Sequence, residues 1–526
     1  MKFRGFRQAM CADSAKVEGP ELVIGLVAAI GTDLEPVSAA IEKSLKAVNY
    51  ACDRIRLSQL LDDVRNSIGV PLVERPEDRR YHSHMDAGNE LRKKMQRGDA
   101  LAAIAIGAIR EVRKSCGSED APLPRHAYLL RSLKHPDEVS LLRRVYGPAF
   151  VLVAAYSPQS RRLQNLASRI AASYNEFHSE NRLPDAQELI KRDEAETLDK
   201  FGQNVREVYP RADFFIDASD ANRLQREINR VIELLFGNSF HTPTRDEYGM
   251  FHARAAALRS ASLQRQVGAV VASAEGDIIA AGANEVPRAG GGLCWAGDEP
   301  DQRDFVLGEE TNDRLKRRML AEILHRLMEQ KWLADDKSAL GVDELVGRAL
   351  DGPLALMKDA QIMNVIEFGR CVHAEMAALL DAARRGTSVR GCTVYCTTFP
   401  CHDCARHILA AGISRVVFVE PYPKSMVAEL YPSLIAVEES VGRGNRLCFE
   451  PFVGIAPQRY MDLFAMLERK DKLGRVRKWD GPLAVPKFGE YFPATRLAAL
   501  TLEQKEFDDF GRRYEELVGH NNPPSA

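Results

Sequence analysis

Residues 22–30 are apolar without alternation (Leu-Val-Ile-Gly-Leu-Val-Ala-Ala-Ile). Such a run predicts a strand buried on both faces. Gly31-Thr32-Asp33 follows, and apolar positions then recur at helical spacing over 36–48. Further apolar runs at 100–106, 126–130, 149–155 and 213–217 read as strands and alternate with helical stretches. That order predicts a doubly wound parallel sheet.

The pattern changes after Pro243. Residues 248–264 have helical periodicity. Val267-Gly268-Ala269-Val270-Val271 and Ile278-Ile279-Ala280-Ala281-Gly282 then flank Glu275-Gly276-Asp277, which predicts a β-hairpin. Residues 368–384 read as a helix, 392–397 as a short strand, 401–411 as a helix and 415–420 as a strand. Strand, helix, strand predicts a parallel crossover with helices layered on a sheet, an α/β/α sandwich. Between the halves, 293–366 reads as a helical insertion whose main element is an amphipathic helix at 311–332. It is expected to serve packing or an oligomer contact.

A chain of 526 residues exceeds the usual size of one core. The pattern divides it into an N-terminal α/β domain at 20–236, a second domain at 246–466 and an extension at 467–526. The tail at 520–526 is of low complexity. With 45% hydrophobic and 28% charged residues, packed cores are within reach. The first twenty residues lack an apolar leader core, and no apolar run is long enough for a bilayer. The expectation is therefore a cytoplasmic protein without membrane contact. Ten Cys in so long a chain do not suggest a disulfide scaffold. Cys371, Cys392, Cys396 and Cys448 sit in apolar sequence and read as reduced core residues.

The chemistry is concentrated in Cys371-Val372-His373-Ala374-Glu375 and Phe399-Pro400-Cys401-His402-Asp403-Cys404. Read as H-x-E followed by P-C-x-x-C, the pair matches the signature of zinc-dependent nucleobase deaminases. His373, Cys401 and Cys404 are candidate Zn²⁺ ligands, and three ligands leave a fourth position open, as a catalytic zinc requires. Glu375 is the candidate proton carrier. A C-x-x-C alone is more often a structural zinc half-site or a redox pair. The first would want a second such pair, which the chain lacks; the second has no use for H-x-E. Placing Cys401 at a helix start favours thiolate over thiol.

With Arg259-Ser260, Val267-Gly268-Ala269-Val270, Ala283-Asn284 and Pro287 added, residues from about 248 to 423 resemble the deoxycytidylate deaminase branch of the cytidine deaminase superfamily. The resemblance implies that Asn284 helps hold the deoxyribose or phosphate end of the substrate. It places Ser262 and Arg265 where the family carries Cys or Ser and a basic residue, and it adds Ala374 to the substrate-binding set.

In the N-terminal domain, strand, glycine turn and helix are the setting of a phosphate loop, with Gly25, Gly31, Thr32 and Asp33 as candidate nucleotide-binding residues. The loop is degenerate. Gly25 and Gly31 are one residue too far apart, and Thr32 stands where Lys is expected. Arg92 to Arg97 and the pair Arg161-Arg162 are candidate replacements for that charge. A kinase-like P-loop domain before a deoxycytidylate deaminase domain resembles the layout of bacterial anti-phage deoxycytidine nucleotide deaminases. The resemblance implies deamination of dCTP or dCMP during infection, a nucleotide or RNA effector at the N-terminal domain, and a homo-oligomer.

Two rivals stay open. One is a cytidine deaminase acting on RNA or single-stranded DNA. A net charge of −2 lacks the basic footprint such an enzyme usually shows. The other is a regulatory module whose deaminase fold is only a sensor, which an intact Glu375 and the missing Lys argue against.

Overall fold

The computed structural model describes residues 19–117, 121–195, 200–351, 355–357, 360–421, 425–438, 444–465, 468–487 and 492–521. They form two compact units. One comprises the chain up to Glu247 together with the chain from Pro451 on; the other is Tyr248–Glu450.

The first unit is built on β1 (Leu22–Ala28), β2 (Ala51–Arg56), β3 (His126–Arg131), β4 (Phe150–Tyr156) and β5 (Phe214–Asp217). They lie side by side in the order β5-β4-β1-β3-β2, all parallel. This is the doubly wound sheet the apolar runs predicted. Every residue of the central β1 is buried, which is why its run never alternates. β2 lies at the edge, is half-buried, and carries Asp53 and Arg54, so no apolar pattern announced it.

One expected strand is a helix. Residues 100–106 open the helix Ala100–Ser115, buried through Arg110 on nearly every side. A short apolar run looks alike in a buried strand and a buried helix. Here four Ala among the first six residues decide for the helix.

The second unit is a sheet of β6 (Gly268–Ala272), β7 (Ile278–Ala283), β8 (Thr393–Thr398), β9 (Arg415–Glu420), β10 (Ile435–Val437) and β11 (Leu447–Pro451). Their order is β10-β11-β9-β8-β6-β7. β6 and β7 form the antiparallel hairpin, and β8 and β9 pair in parallel around the helix His402–Ala410, as the crossover predicted. The other helix of the site, Ala374–Arg384, lies on β7 and β6.

Two helices are shorter than their periodicity implied. The one expected at 368–384 starts at Ala374 because Val372 pairs with Glu285 through both backbone groups (N to O 3.0 and 3.2 Å). The one expected at 248–264 is Arg245–Ala257. The insertion holds the predicted amphipathic helix as Thr311–Glu329, lying against Val342–Leu350, with Asn312 and Leu320 its buried residues.

After Glu450 the chain returns to the first unit. β12 (Gly454–Ile455) adds an antiparallel edge to β5. The helix Phe492–Asn521 packs on Ala100–Ser115 and Pro136–Tyr146. Residues 451–466 and the extension at 467–526 therefore go with the first unit; 522–526, at the end of the low-complexity tail, lie outside the described residues.

The anchor of the last helix is ionic. Arg113, 2% exposed, bonds Glu21 (Nη2 to Oε2 2.7 Å) and Glu503 (Nη2 to Oε1 2.9 Å). Glu503 is fully buried. A guanidinium without water needs both carboxylates. Glu503→Ala is expected to destabilise the first unit by about 3 kcal/mol, because removing one partner of a buried pair strands the other's charge. Urea unfolding followed by circular dichroism reads this, and an unchanged midpoint would show that Arg113 does not need Glu503.

Candidate active site

His373 is the residue before the helix Ala374–Arg384, and Cys401 is the N-cap of the helix His402–Ala410. Both have extended backbones, φ −66° and ψ 152° for His373 and φ −66° and ψ 166° for Cys401. Two helix starts are thus brought to one point. His373 Nδ1 is 3.3 Å from Cys401 Sγ and 3.4 Å from Cys404 Sγ. All three donor atoms lie within 4.8 Å of one another.

The electrostatics suit a metal. The Cys401 thiol is held down at about 4 by hydrogen bonding to Cys404, against its own burial, with His373 adding to the effect. The Cys404 backbone N–H donates to Cys401 Sγ (3.4 Å). The His373 imidazole is raised to about 9, chiefly by its bond to Cys401. Cys404 is pushed well up, since it shares one charge with Cys401 in a buried place. Two sulfurs and one imidazole converging in a buried pocket are a donor set fit for Zn²⁺.

Glu375 follows one residue into the helix and is 4% exposed. Burial raises its carboxyl above the usual range, and the Cys401 charge adds to that. A raised carboxyl beside a metal pocket is placed to carry a proton. The glycine at 282 sets its position. A Cβ there would meet Ala374 O at 2.3 Å and Ala378 N at 2.4 Å, so only glycine lets β7 lie this close to the helix.

The residues expected to hold substrate are placed unequally. Asn284, 9% exposed, has its amide engaged with the loop before β6: Oδ1 accepts from Val267 N–H (2.7 Å) and Nδ2 donates to Arg265 O (2.8 Å). It clips the 265–267 loop. The neighbouring Glu285 is 1% exposed and accepts from Ala261 N–H and Val286 N–H, both at 2.9 Å. Its acid is turned inward. Ser262 is half-buried, and its N–H donates to Ser260 Oγ (3.2 Å). Arg265 is exposed and pairs with Glu420 (Nη1 to Oε2 3.2 Å). Ala374 is fully buried under Gly282.

Sequence reasoning missed Glu420. It ends β9, and burial raises its carboxyl while Arg265 opposes the shift. The available signal was a single acid closing an apolar strand at the carboxyl end of a parallel pair, where ligands gather. Cys392, Cys396 and Cys448 are buried free thiols as expected. Cys371 is half-buried, and its Sγ lies 3.7 Å from Asp304 Oδ2, so its setting is polar on one side.

The candidate phosphate loop is a separate place, in the first unit. Gly25 is inside β1; a Cβ there would meet Leu133 Cδ1 at 2.5 Å, so that glycine serves packing and faces no loop. Gly31, Thr32 and Asp33 form the turn after β1. Gly31 has φ +86°, and a Cβ on it would meet Arg162 O at 2.6 Å. Asp33 caps the helix Leu34–Ala47 and pairs with Arg169 (2.9 Å). Of the basic residues expected to replace the missing Lys, Lys93 and Arg161 are exposed, whereas Arg92, Arg97 and Arg162 are engaged with the protein itself. Arg92 bonds the buried Glu138 (2.9 Å), Arg97 bonds Asp99 and Glu506, and Arg162 donates to Ile30 O (3.3 Å).

Comparison with known proteins bears on the metal site. Residues 243–420 match the family model for the cytidine and deoxycytidylate deaminase zinc-binding region. The chain is 48% identical over 54 residues to the deoxycytidylate deaminase of enterobacteria phage T2, covering 10% of this chain and 29% of that one. It is 43% identical over 47 residues to the human deoxycytidylate deaminase, 9% of this chain and 25% of that one. The chain thus spans less than a third of the length of these curated relatives. Among solved structures, the dCMP deaminase of cyanophage S-TIM5 in complex with dCMP and dUMP aligns at 18% identity and TM-score 0.22, over 40% of this chain and 100% of that one. A gluconokinase from Sinorhizobium meliloti 1021 aligns at 16% identity and TM-score 0.20, over 43% of this chain and 99% of that one. With the His373, Cys401 and Cys404 geometry, the family match makes residues 243–420 a zinc-binding region of the cytidine and deoxycytidylate deaminase type, with Zn²⁺ as its metal.

Proposed function

We propose that the protein hydrolytically deaminates free deoxycytidine nucleotides, dCTP or dCMP, to the deoxyuridine nucleotides. The observation that carries this is the convergence of His373, Cys401 and Cys404 beside a buried, raised Glu375. His373, Cys401 and Cys404 would hold the zinc. Bound zinc supplies Lewis acidity that makes water a nucleophile near neutral pH. Glu375 takes a proton from the attacking water and delivers it to N3 of the base. It then takes the remaining proton from the hydroxyl now on C4 and passes it to the amine, so that the C4 carbonyl forms as the C4–N bond breaks and ammonia leaves. Asn284, by clipping 265–267, keeps Arg265 at the rim for the phosphate end of a nucleotide.

The layout of a doubly wound parallel sheet ahead of a deaminase region, through its resemblance to anti-phage deoxycytidine nucleotide deaminases, supports a role in phage defence, by depleting dCTP in the cytoplasm. In that role the first unit would restrain the second through a nucleotide or RNA effector, since unchecked dCTP loss harms the host. A polynucleotide substrate is the alternative, and a net charge of −2 weighs against it.

Three measurements test this reading. Purified protein is expected to carry about one zinc per chain, and Cys401→Ser or Cys404→Ser to lose both zinc and activity. Full turnover in a metal-free preparation would sink the mechanism. Glu375→Ala is expected to keep zinc and fold while lowering turnover by at least ~10²-fold, since a positioned proton carrier supplies about that much. Zinc lost together with activity would make Glu375 structural instead. Finally, a panel of dCMP, dCTP, cytidine and a deoxycytidine oligonucleotide, each with and without ATP or host RNA, is expected to show turnover of the free deoxynucleotides only, changed by an effector. Preference for the oligonucleotide would establish the alternative, and rates indifferent to every addition would remove the regulatory role.

A further inference from the structure

In the second unit, the carboxyl ends of β8 and β9 lie together just ahead of Cys401. Thr398 pairs with Glu420 across the two strands, and Phe399 N–H donates to Glu420 O (2.7 Å). Glu420 is thereby tied by its backbone to the turn that leads into the Cys401 N-cap. Its carboxylate reaches the other way, to Arg265 (Nη1 to Oε2 3.2 Å). Arg265 sits in the loop before β6, where Asn284 Nδ2 donates to its carbonyl (2.8 Å). One ion pair therefore joins the strand end beside the metal ligands to the clipped loop. Its side chains keep 44% (Arg265) and 34% (Glu420) of their exposure, so an arriving ligand can reach both.

The carboxylate depends on its cations. Burial raises the Glu420 carboxyl above the usual range, while Arg265, and after it Arg254 on the helix Arg245–Ala257, oppose the shift. These two guanidiniums are the charges that face it from the neighbouring loop and helix. A phosphate that takes over Arg265 changes this balance in two ways. It removes the nearer counter-charge, and it brings a second anion close to Glu420. Both favour the protonated acid.

We propose that Glu420 is a specificity-determining residue of the deaminase site, which holds Arg265 until a substrate phosphate claims the guanidinium and then takes up a proton itself. This rests on the deamination of free deoxycytidine nucleotides proposed above, and gives that site a built-in competitor for the phosphate. A nucleoside leaves the pair intact and gains nothing from Arg265. A nucleotide breaks it, exchanging one charge-assisted bond for another. Glu420 has the higher pKa in the complex, so binding takes up protons. Nucleotide affinity therefore declines as pH rises from the free to the bound pKa. The phosphate acts oppositely, because its second ionisation near pH ~6 favours binding at higher pH. Net proton uptake is thus a mark of Glu420 and not of the ligand.

Two measurements on the full-length, zinc-loaded chain test this. The first is calorimetric titration with dUMP and dUTP, the product nucleotides, in two buffers of different ionisation enthalpy, which counts bound protons without turnover. The wild type is expected to take up a net fraction of a proton at about pH 6.5, and Glu420→Gln none. The second is kinetics with dCMP and dCTP, with deoxycytidine as substrate or competitor for comparison. Glu420→Gln is expected to raise the preference for nucleotide over nucleoside by about fivefold, through KM, because Arg265 loses its competitor. Arg265→Gln is expected to lower that preference by about tenfold or more, the loss of one bond to a charged group, and to diminish the proton uptake. Should Glu420→Gln fail to fold by circular dichroism, wild-type uptake and its loss in Arg265→Gln still decide. Net proton release, or no uptake, by the wild type would overturn the proposal. So would a preference unmoved by Glu420→Gln, or one that falls, which would make Glu420 a support for Arg265 instead. Turnover of neither nucleotide would overturn the deaminase reading and this inference with it; turnover with an unmoved preference overturns this inference alone.

Discussion

The active site depends on one steric constraint, the contact between β7 and the first turn of Ala374–Arg384. Because Gly282 has no side chain, the strand touches the backbone of Ala374 and Ala378. That contact fixes how close the first turn lies to the strand, the Val372–Glu285 pairing fixes where the helix begins, and together they place His373 and Glu375. The second helix start is fixed by the β8-to-β9 crossover, which ends β8 at Thr398 and makes Cys401 an N-cap. Three ligands from two helix starts then meet without any long side chain having to reach. A site of this kind is held by packing of backbone on backbone, and the polar groups are spared for chemistry.

How much of this was legible in the sequence varied with the kind of signal. The hairpin at β6 and β7 was readable because apolar runs flank Glu275-Gly276-Asp277, and Gly276 does take a positive φ of 103°. The metal ligands were readable because their spacing is dictated by coordination. What spacing could not carry was the partner of each charged group. Arg92 and Arg162 looked like surface charge available for a phosphate, yet Arg92 is 1% exposed against Glu138, and Arg162 lies against Gly31. Lys134 drew no notice because its partner Asp193 is 59 residues away. Helix ends failed for a related reason. The first helix of the second unit stops at Ala257 because the 260–267 segment is held by Asn284 and Glu285, which lie beyond the following hairpin. Local periodicity does not register such a tether.

The two units use strand ends differently. In the second, buried thiols and a buried acid keep their polar atoms directed at one point. In the first, the corresponding polar atoms are mostly satisfied inside the protein, with the Thr32 hydroxyl left over. A satisfied loop is stable and inert; an unsatisfied one is a place where added binding energy has most effect.

The first unit is also discontinuous in the chain. Its sheet edge β12 and the helix carrying Glu503 are made after all of 248–450. During synthesis Arg113 waits for a partner 390 residues downstream, and its unit stays incomplete at one face while the entire second unit emerges. The zinc-binding unit has every ligand in hand before the ribosome reaches residue 451. A premature stop between 451 and 492 therefore yields a chain in which the zinc-binding unit is whole and the unit enclosing it in sequence lacks its last helix. In such a chain Arg113 keeps Glu21 but lacks Glu503, and the loss of that carboxylate and of the helix that covers it lowers the stability of the first unit, which makes this unit the part that proteolysis reaches first.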